Sequence, residues 1–115
     1  MNIILHITNR QQWEQAKLNQ AYRGDTLDTE GFIHCSTPHQ VIKVANKFFA
    51  GKKELILLYI ESERVQSEVK YEEADGDIFP HIYGTLNLDA VVKVIEFESS
   101  TGGQFELPIE FSNIK

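Results

Sequence analysis

Apolar residues recur along this chain with two different periods, and each run predicts an element. Ile3, Ile4, Leu5 and Ile7, with His6 among them, predict a buried strand over residues 2–8. Asn9 offers an N-cap with Gln12 three residues on, and Trp13, Ala16 and Leu18 supply the inner face of an amphipathic helix over 10–19. Residues 22–30 are polar, contain Gly24-Asp25, and read as a loop. Phe32 and Ile33 then predict a strand after Gly31. A helix follows over 38–50: Ser36 or Thr37 can cap it, Pro38 suits its first turn, and Gln40 completes a capping box with Thr37. Val41, Val44, Ala45, Phe48 and Phe49 are spaced as a core-facing stripe, and Gly51 stands where helices end.

The second half changes period. Residues 54–61, ELILLYIE, form a nearly unbroken apolar run of the kind found in a strand buried on both faces. Over 68–73 Val69 and Tyr71 alternate with charges, and Asp75-Gly76-Asp77 signals a turn. Residues 78–86 are rich in aromatics, but Pro80 removes a donor and Gly84 weakens pairing, so a regular strand throughout is not expected. Residues 91–98 alternate, with Val92, Val94 and Phe97 among the apolar positions. Gly102-Gly103 marks a hairpin turn over 99–103, with a final strand over 104–111. The elements add up to an α+β protein, with two helices early and strands dominating later, in a single domain over 1–115.

Composition narrows the function classes. At 115 residues the chain can bury roughly two-thirds of its unfolded surface in one core, so neither a disulfide nor a metal is needed for stability. Cys35 is the only cysteine, which excludes an intrachain disulfide and predicts a reducing, cytoplasmic setting. The opening MNIILHITNR has too short an apolar run for a signal peptide, and no stretch approaches the ~20 apolar residues of a membrane span. The formal charge of −6 weighs against a nucleic-acid partner, which calls for a basic stripe. The expected partner is a small molecule.

The stretch GFIHCSTP (31–38) brings a strand end, a helix start and a polar cluster together, a place suited to an anion or polar substrate. Three of the four histidines, His6, His34 and His81, interrupt apolar runs; His39 is on an exposed helical turn. One such histidine is ordinarily a core residue with a hydrogen-bond partner. Three in a short chain repeat a desolvation cost that leucine would avoid, so their convergence on one cleft is the hypothesis to test. Cys35 beside His34 reads as a small buried side chain, because strand neighbours point to opposite faces. Three histidines could also ligate zinc with an open fourth site, but the usual spacings such as HExxH are missing. Tyr71 and Tyr83 could stack on a planar ligand. Of Glu72 and Glu73, one points inward and the other to solvent.

The segments HIT at His6, EGFIHCST at 30–37, ANKFF at 45–49 and FPHIYG at 79–84 resemble a bacterial and plant family known as domain of unknown function 952. The likeness runs from the first strand to about Val94. Two departures are visible: the family often has Trp-Glu at Tyr71-Glu72, and proline at Thr85 and Asn87. By fold that family is grouped with the ADP-ribosyltransferases, which implies a strongly bent, mostly antiparallel split sheet carrying the two helices and holding NAD in a cleft. His6-Ile7-Thr8 looks like the first-strand motif of one branch, with Ile7 in place of Gly. The resemblance implies a site of His6, Thr8, His34, Ser36, Glu72, His81 and Tyr83. In it Glu72 and His6 act on NAD: the carboxylate stabilises charge developing on the sugar, and His6 holds a ribose hydroxyl. Tyr83 stacks on the base, and His81 or His34 meets diphosphate.

Three functions follow as expectations. The first is transfer or cleavage of ADP-ribose from NAD, with no metal. The second is a non-catalytic module that binds a nucleotide or ADP-ribose. The third is a histidine-ligated metal hydrolase.

Overall fold

A computed structural model describes residues 2–24, 26–99 and 105. The chain runs β1 (Ile3–Asn9), α1 (Arg10–Asn19), β2 (Ala21–Tyr22), α2 (Leu27–Glu30), β3 (Ile33–His34), α3 (Val41–Phe48), β4 (Leu55–Glu61), β5 (Glu68–Ala74), β6 (Asp77–Tyr83), β7 (Leu86–Asn87) and β8 (Val91–Glu96). One-turn 3₁₀ helices at Ser62–Arg64 and Leu88–Ala90 lie between strands. The result is an α+β protein with antiparallel sheets in the orders β1-β4-β8, β3-β6-β5 and β2-β7.

β4 is the central strand of its sheet, and its apolar run is buried on both sides. Ile56, Leu58 and Ile60 join Ile4, Ile33, Ile82, Tyr22 and Ala16 in one core. Leu55 and Leu57 join Leu5, Ile7, Val41, Ala45, Ile95, Phe97 and Phe105 in a second. Strand alternation sends successive residues to the two cores. Asn9 caps α1 through its side chain, which accepts from the Gln12 N–H at 2.7 Å. At the start of α3 the Gln40 side chain accepts from the Thr37 N–H at 3.0 Å, which is half of the expected capping box.

Several expectations need correction. The stretch 22–30 is not all loop: it holds the end of β2 and all of α2, which makes three helices rather than two among the described residues. Leu18 points away from the core and is 79 % exposed; α1 buries Ala16 and packs Trp13 instead. The helix expected over 38–50 is shorter, and Phe48 at its end is 57 % exposed. Over 78–86 the strand is not regular throughout, as expected, since β6 stops at Tyr83 before Gly84 and β7 starts at Leu86; Pro80, however, does not interrupt the central strand β6. The Pro80 carbonyl accepts from the Cys35 N–H at 3.0 Å, so its nitrogen faces the same edge, where the two-residue β3 has already ended. A missing donor there interrupts no long ladder. On β8, Ile95 is buried and Val92 and Val94 are partly exposed; a register shift opposite Tyr59 and Ile60 resets the alternation. Of the turn expected over 99–103 and the strand over 104–111, all but Ser99 and Phe105 lies outside the described residues.

Candidate functional site

The site forms where two strands begin to pair and then part. Leu5 and Ser36 exchange both backbone hydrogen bonds, at 2.7 and 2.8 Å, as an isolated bridge. Continuing that antiparallel register would set His34 opposite Ile7. Instead the His34 carbonyl is taken by the side chain of His6, with Nδ1 at 2.5 Å. A carbonyl can only accept, so Nδ1 carries the proton. Nε2 lies 2.7 Å from the Tyr22 hydroxyl, which is also 3.3 Å from Gln12 Oε1; Thr8 donates to that same oxygen at 2.8 Å. Both ring nitrogens of His6 are therefore engaged within the protein. His6 replaces a ladder bond at the point where the sheet splits.

The other two imidazoles meet across β3 and β6. His34 lies opposite His81 in the register. The neighbouring Cys35–Pro80 position is the hydrogen-bonded one, so by alternation the histidines form the closer, non-bonded kind of pair. Their ring centroids are 5.1 Å apart at 80°. Phe32 stacks on His81 at 4.2 Å and meets His34 edge-on at 4.8 Å. His34 is half exposed, and its Nε2 lies 3.0 Å from Glu30 Oε1, four residues earlier in the chain.

His81 is 3 % exposed. Its Nδ1 is 2.8 Å from Glu72 Oε1, and the same oxygen accepts from the Tyr83 hydroxyl at 2.6 Å. The Tyr83 hydroxyl first and the His81 ring second hold the Glu72 carboxyl below the usual carboxylate range. In return, the bond to Glu72 pushes the Tyr83 phenol up. An ionised carboxylate can only accept, so Nδ1 of His81 carries a proton. The Nε2 of His81 is buried and has no hydrogen-bond partner among the described residues.

A cleft of about 590 Å³ opens in the gap between the parted strands. His6, Thr8, His34, Ser36 and His81 line it, so the three imidazoles do converge. Glu72 and Tyr83 do not line it; they stand behind His81. Tyr71 is exposed on β5 and Glu73 faces solvent, so Glu72 is the more inward of the pair. Burial pushes the Cys35 thiol up, which leaves it a core side chain and no nucleophile.

Sequence reasoning missed Tyr22, Gln12, Glu30 and Lys52, all of which border the cleft. Only Glu30 left a trace, at four residues from His34. Tyr22 lay in a stretch too polar to suggest burial. Among the described residues, no three His, Cys, Asp or Glu side chains are grouped so as to hold a metal ion, so the three-histidine zinc arrangement is not formed there. Nor, among those residues, is any helix long and apolar enough to cross a membrane.

Comparison with solved structures finds the same architecture in protein CC0527 from Caulobacter crescentus. Its crystal structure superposes with a TM-score of 0.84 at 30 % identity, covering 91 % of this chain and 94 % of that one. The crystal structure of a double mutant of that protein gives a TM-score of 0.83 over the same shares of both chains and at the same 30 % identity. The solution NMR structure gives 0.80 at 32 % identity, covering 93 % and 94 %. No curated protein matches. Residues 7–94, which span β1 to β8 and every histidine of the cleft except His6, match one family along their whole length, and the chain belongs to it: the family described as Protein of unknown function (DUF952).

Proposed function

We propose that this protein binds a nucleotide-sized small molecule in the cleft between β1 and β3, with the ADP-ribose part of NAD as the ligand class to try first. The volume of about 590 Å³ is within the ~300–1,000 Å³ range of small-molecule sites. Phe48, Phe49 and Phe79 give its lining apolar surface for a planar ring, and Thr8, Gln12, His34 and Ser36 give it polar groups for a sugar. The single observation that carries the reading is that His6, His34 and His81, far apart in sequence, line that one cleft together.

Binding without turnover is the version the geometry favours. Cleaving NAD asks for a carboxylate beside the ribose, and Oε1 of Glu72 already accepts from both His81 and Tyr83, outside the cleft. The test is a thermal melt with NAD and ADP-ribose alongside an assay for free nicotinamide. A rise in melting temperature with no nicotinamide is the expected result. Nicotinamide release would restore the transferase reading, and no shift with either ligand would overturn both.

A further inference from the structure

Positive charge is gathered on one side of this acidic molecule. Residues 31–53 carry four lysines and no aspartate or glutamate, inside a chain of formal charge −6. Two of the four are answered within the fold: Lys47 pairs with Asp75, and Lys43 sits in the field of Asp77, both on the turn between β5 and β6. Lys52 and Lys53 meet no carboxylate among the described residues. Of these two, only Lys52 lines the cleft, and among the described residues it is the only lysine or arginine that does. Its Nζ lies over the ring of Phe49, 5.8 Å from the centroid, and Phe49 lines the cleft as well. An ammonium has three N–H donors, and a ring contact of that length leaves them free for a stronger acceptor.

The start of α3, which the sequence offers for an anion, has its first donors engaged. The Thr37 N–H goes to the Gln40 side chain at 3.0 Å, and the Gln40 and Val41 N–H groups both go to the Thr37 carbonyl, at 3.0 and 3.1 Å. The unpaired cation of the cleft stands past the other end of the same helix.

Resting on the cleft-binding reading, we propose that Lys52 anchors a phosphate group of the nucleotide-type ligand at the α3 side of the cleft, beside Phe49. Two carboxylates share the lining. Asp75 is offset by Lys47, whereas Glu30, beside His34, repels the same phosphate. The ligand therefore binds one way round, with its phosphate toward α3 and its uncharged part toward the histidines.

The test compares AMP with adenosine by calorimetry on the full chain. The unaltered protein should bind AMP about fivefold more tightly or better, as one partly screened ion pair allows. That preference should shrink between about 0.01 M and about 1 M salt, where the Debye length falls from about 30 to about 3 Å. Lys52→Gln should bind the two compounds alike, and Lys53→Gln, which alters an equal charge outside the lining, should keep the preference. Equal binding of AMP and adenosine by the unaltered protein overturns the inference and leaves the cleft-binding reading standing. A preference that survives in Lys52→Gln, or that Lys53→Gln abolishes just as well, also overturns it, because the charge would then act as a general field. Binding of neither compound removes the cleft-binding reading and the inference with it. A measurement without variants adds a check: amide shifts caused by AMP should include Phe49 and Lys52, and shifts that leave both unmoved overturn the assignment.

Discussion

His6 and His81 are the same residue type on neighbouring sheets, lining one cleft and exposed to 8 % and 3 %. They differ in what their second nitrogen meets. His6 is satisfied at both ends, by the His34 carbonyl and the Tyr22 hydroxyl, and holds the split between β1 and β3. Among the described residues His81 is satisfied at one end only, where Glu72 and Tyr83 tie Nδ1 back into β5 and β6. Burial alone therefore does not say how many ring nitrogens of a histidine are paired. Accounting for each nitrogen does.

The sharpest way to break this contrast is to replace each imidazole by the apolar ring closest to it in shape. His6→Phe strands the His34 carbonyl and takes its short imidazole partner from the Tyr22 hydroxyl, at an expected cost of about 3 kcal/mol in urea unfolding. His81→Phe loses one hydrogen bond but also removes an unpaired polar atom and keeps the stack on Phe32, so its cost should be about 1 kcal/mol or less. Equal losses in the two variants would erase the distinction.

Smaller effects come from the residues behind His81. Because the folded state holds the Glu72 carboxyl down, its contribution is present above the ordinary carboxyl value of about 4.3 and is lost as pH falls through the lower, folded value. The stability gap between the unaltered protein and Glu72→Gln should be steady from neutral pH to about pH 5 and close below about pH 4. A gap that widens on acidification would contradict the Glu72–His81–Tyr83 arrangement. Tyr83→Phe should have the mildest effect on stability. The Tyr83 contribution has the opposite sign: it is present below the ordinary phenol value of about 10 and fades as pH rises through the raised folded value. Denaturant midpoints of Tyr83→Phe and the unaltered protein should thus converge only in strong alkali.

Elements with a clear period were legible in advance. β4, with its unbroken apolar run, and α1, with its Asn9 cap and Gln12, came out where the pattern put them. The break after Tyr83 was legible in Gly84, but the regular strand through Pro80 was not, because Pro80 disqualifies a strand only if its nitrogen faces a paired neighbour, and that depends on where β3 stops. Leu18 and Phe48 failed for a related reason: an apolar residue joins a core only if another element comes to cover it. Within the site, the identities of His6, His34 and His81 stood out as polar interruptions of apolar runs. Strand alternation said that one of Glu72 and Glu73 points inward, but neither which one nor the side of His81 on which it stands.

What the chain determines locally is a set of periods, caps and turns: alternation sends the side chains of β1 and β4 to opposite cores, and Asn9 starts a helix wherever the strand before it ends. Which imidazole is paired at both ring nitrogens and which, among the described residues, at one was settled only by long-range pairing. The Leu5–Ser36 bridge ends after one pair, so the His34 carbonyl falls to His6; the β5–β6 register puts Glu72 within reach of His81 Nδ1 and leaves Nε2 without a partner among the described residues. Each of these hydrogen bonds joins groups far apart in sequence, and no local pattern records it.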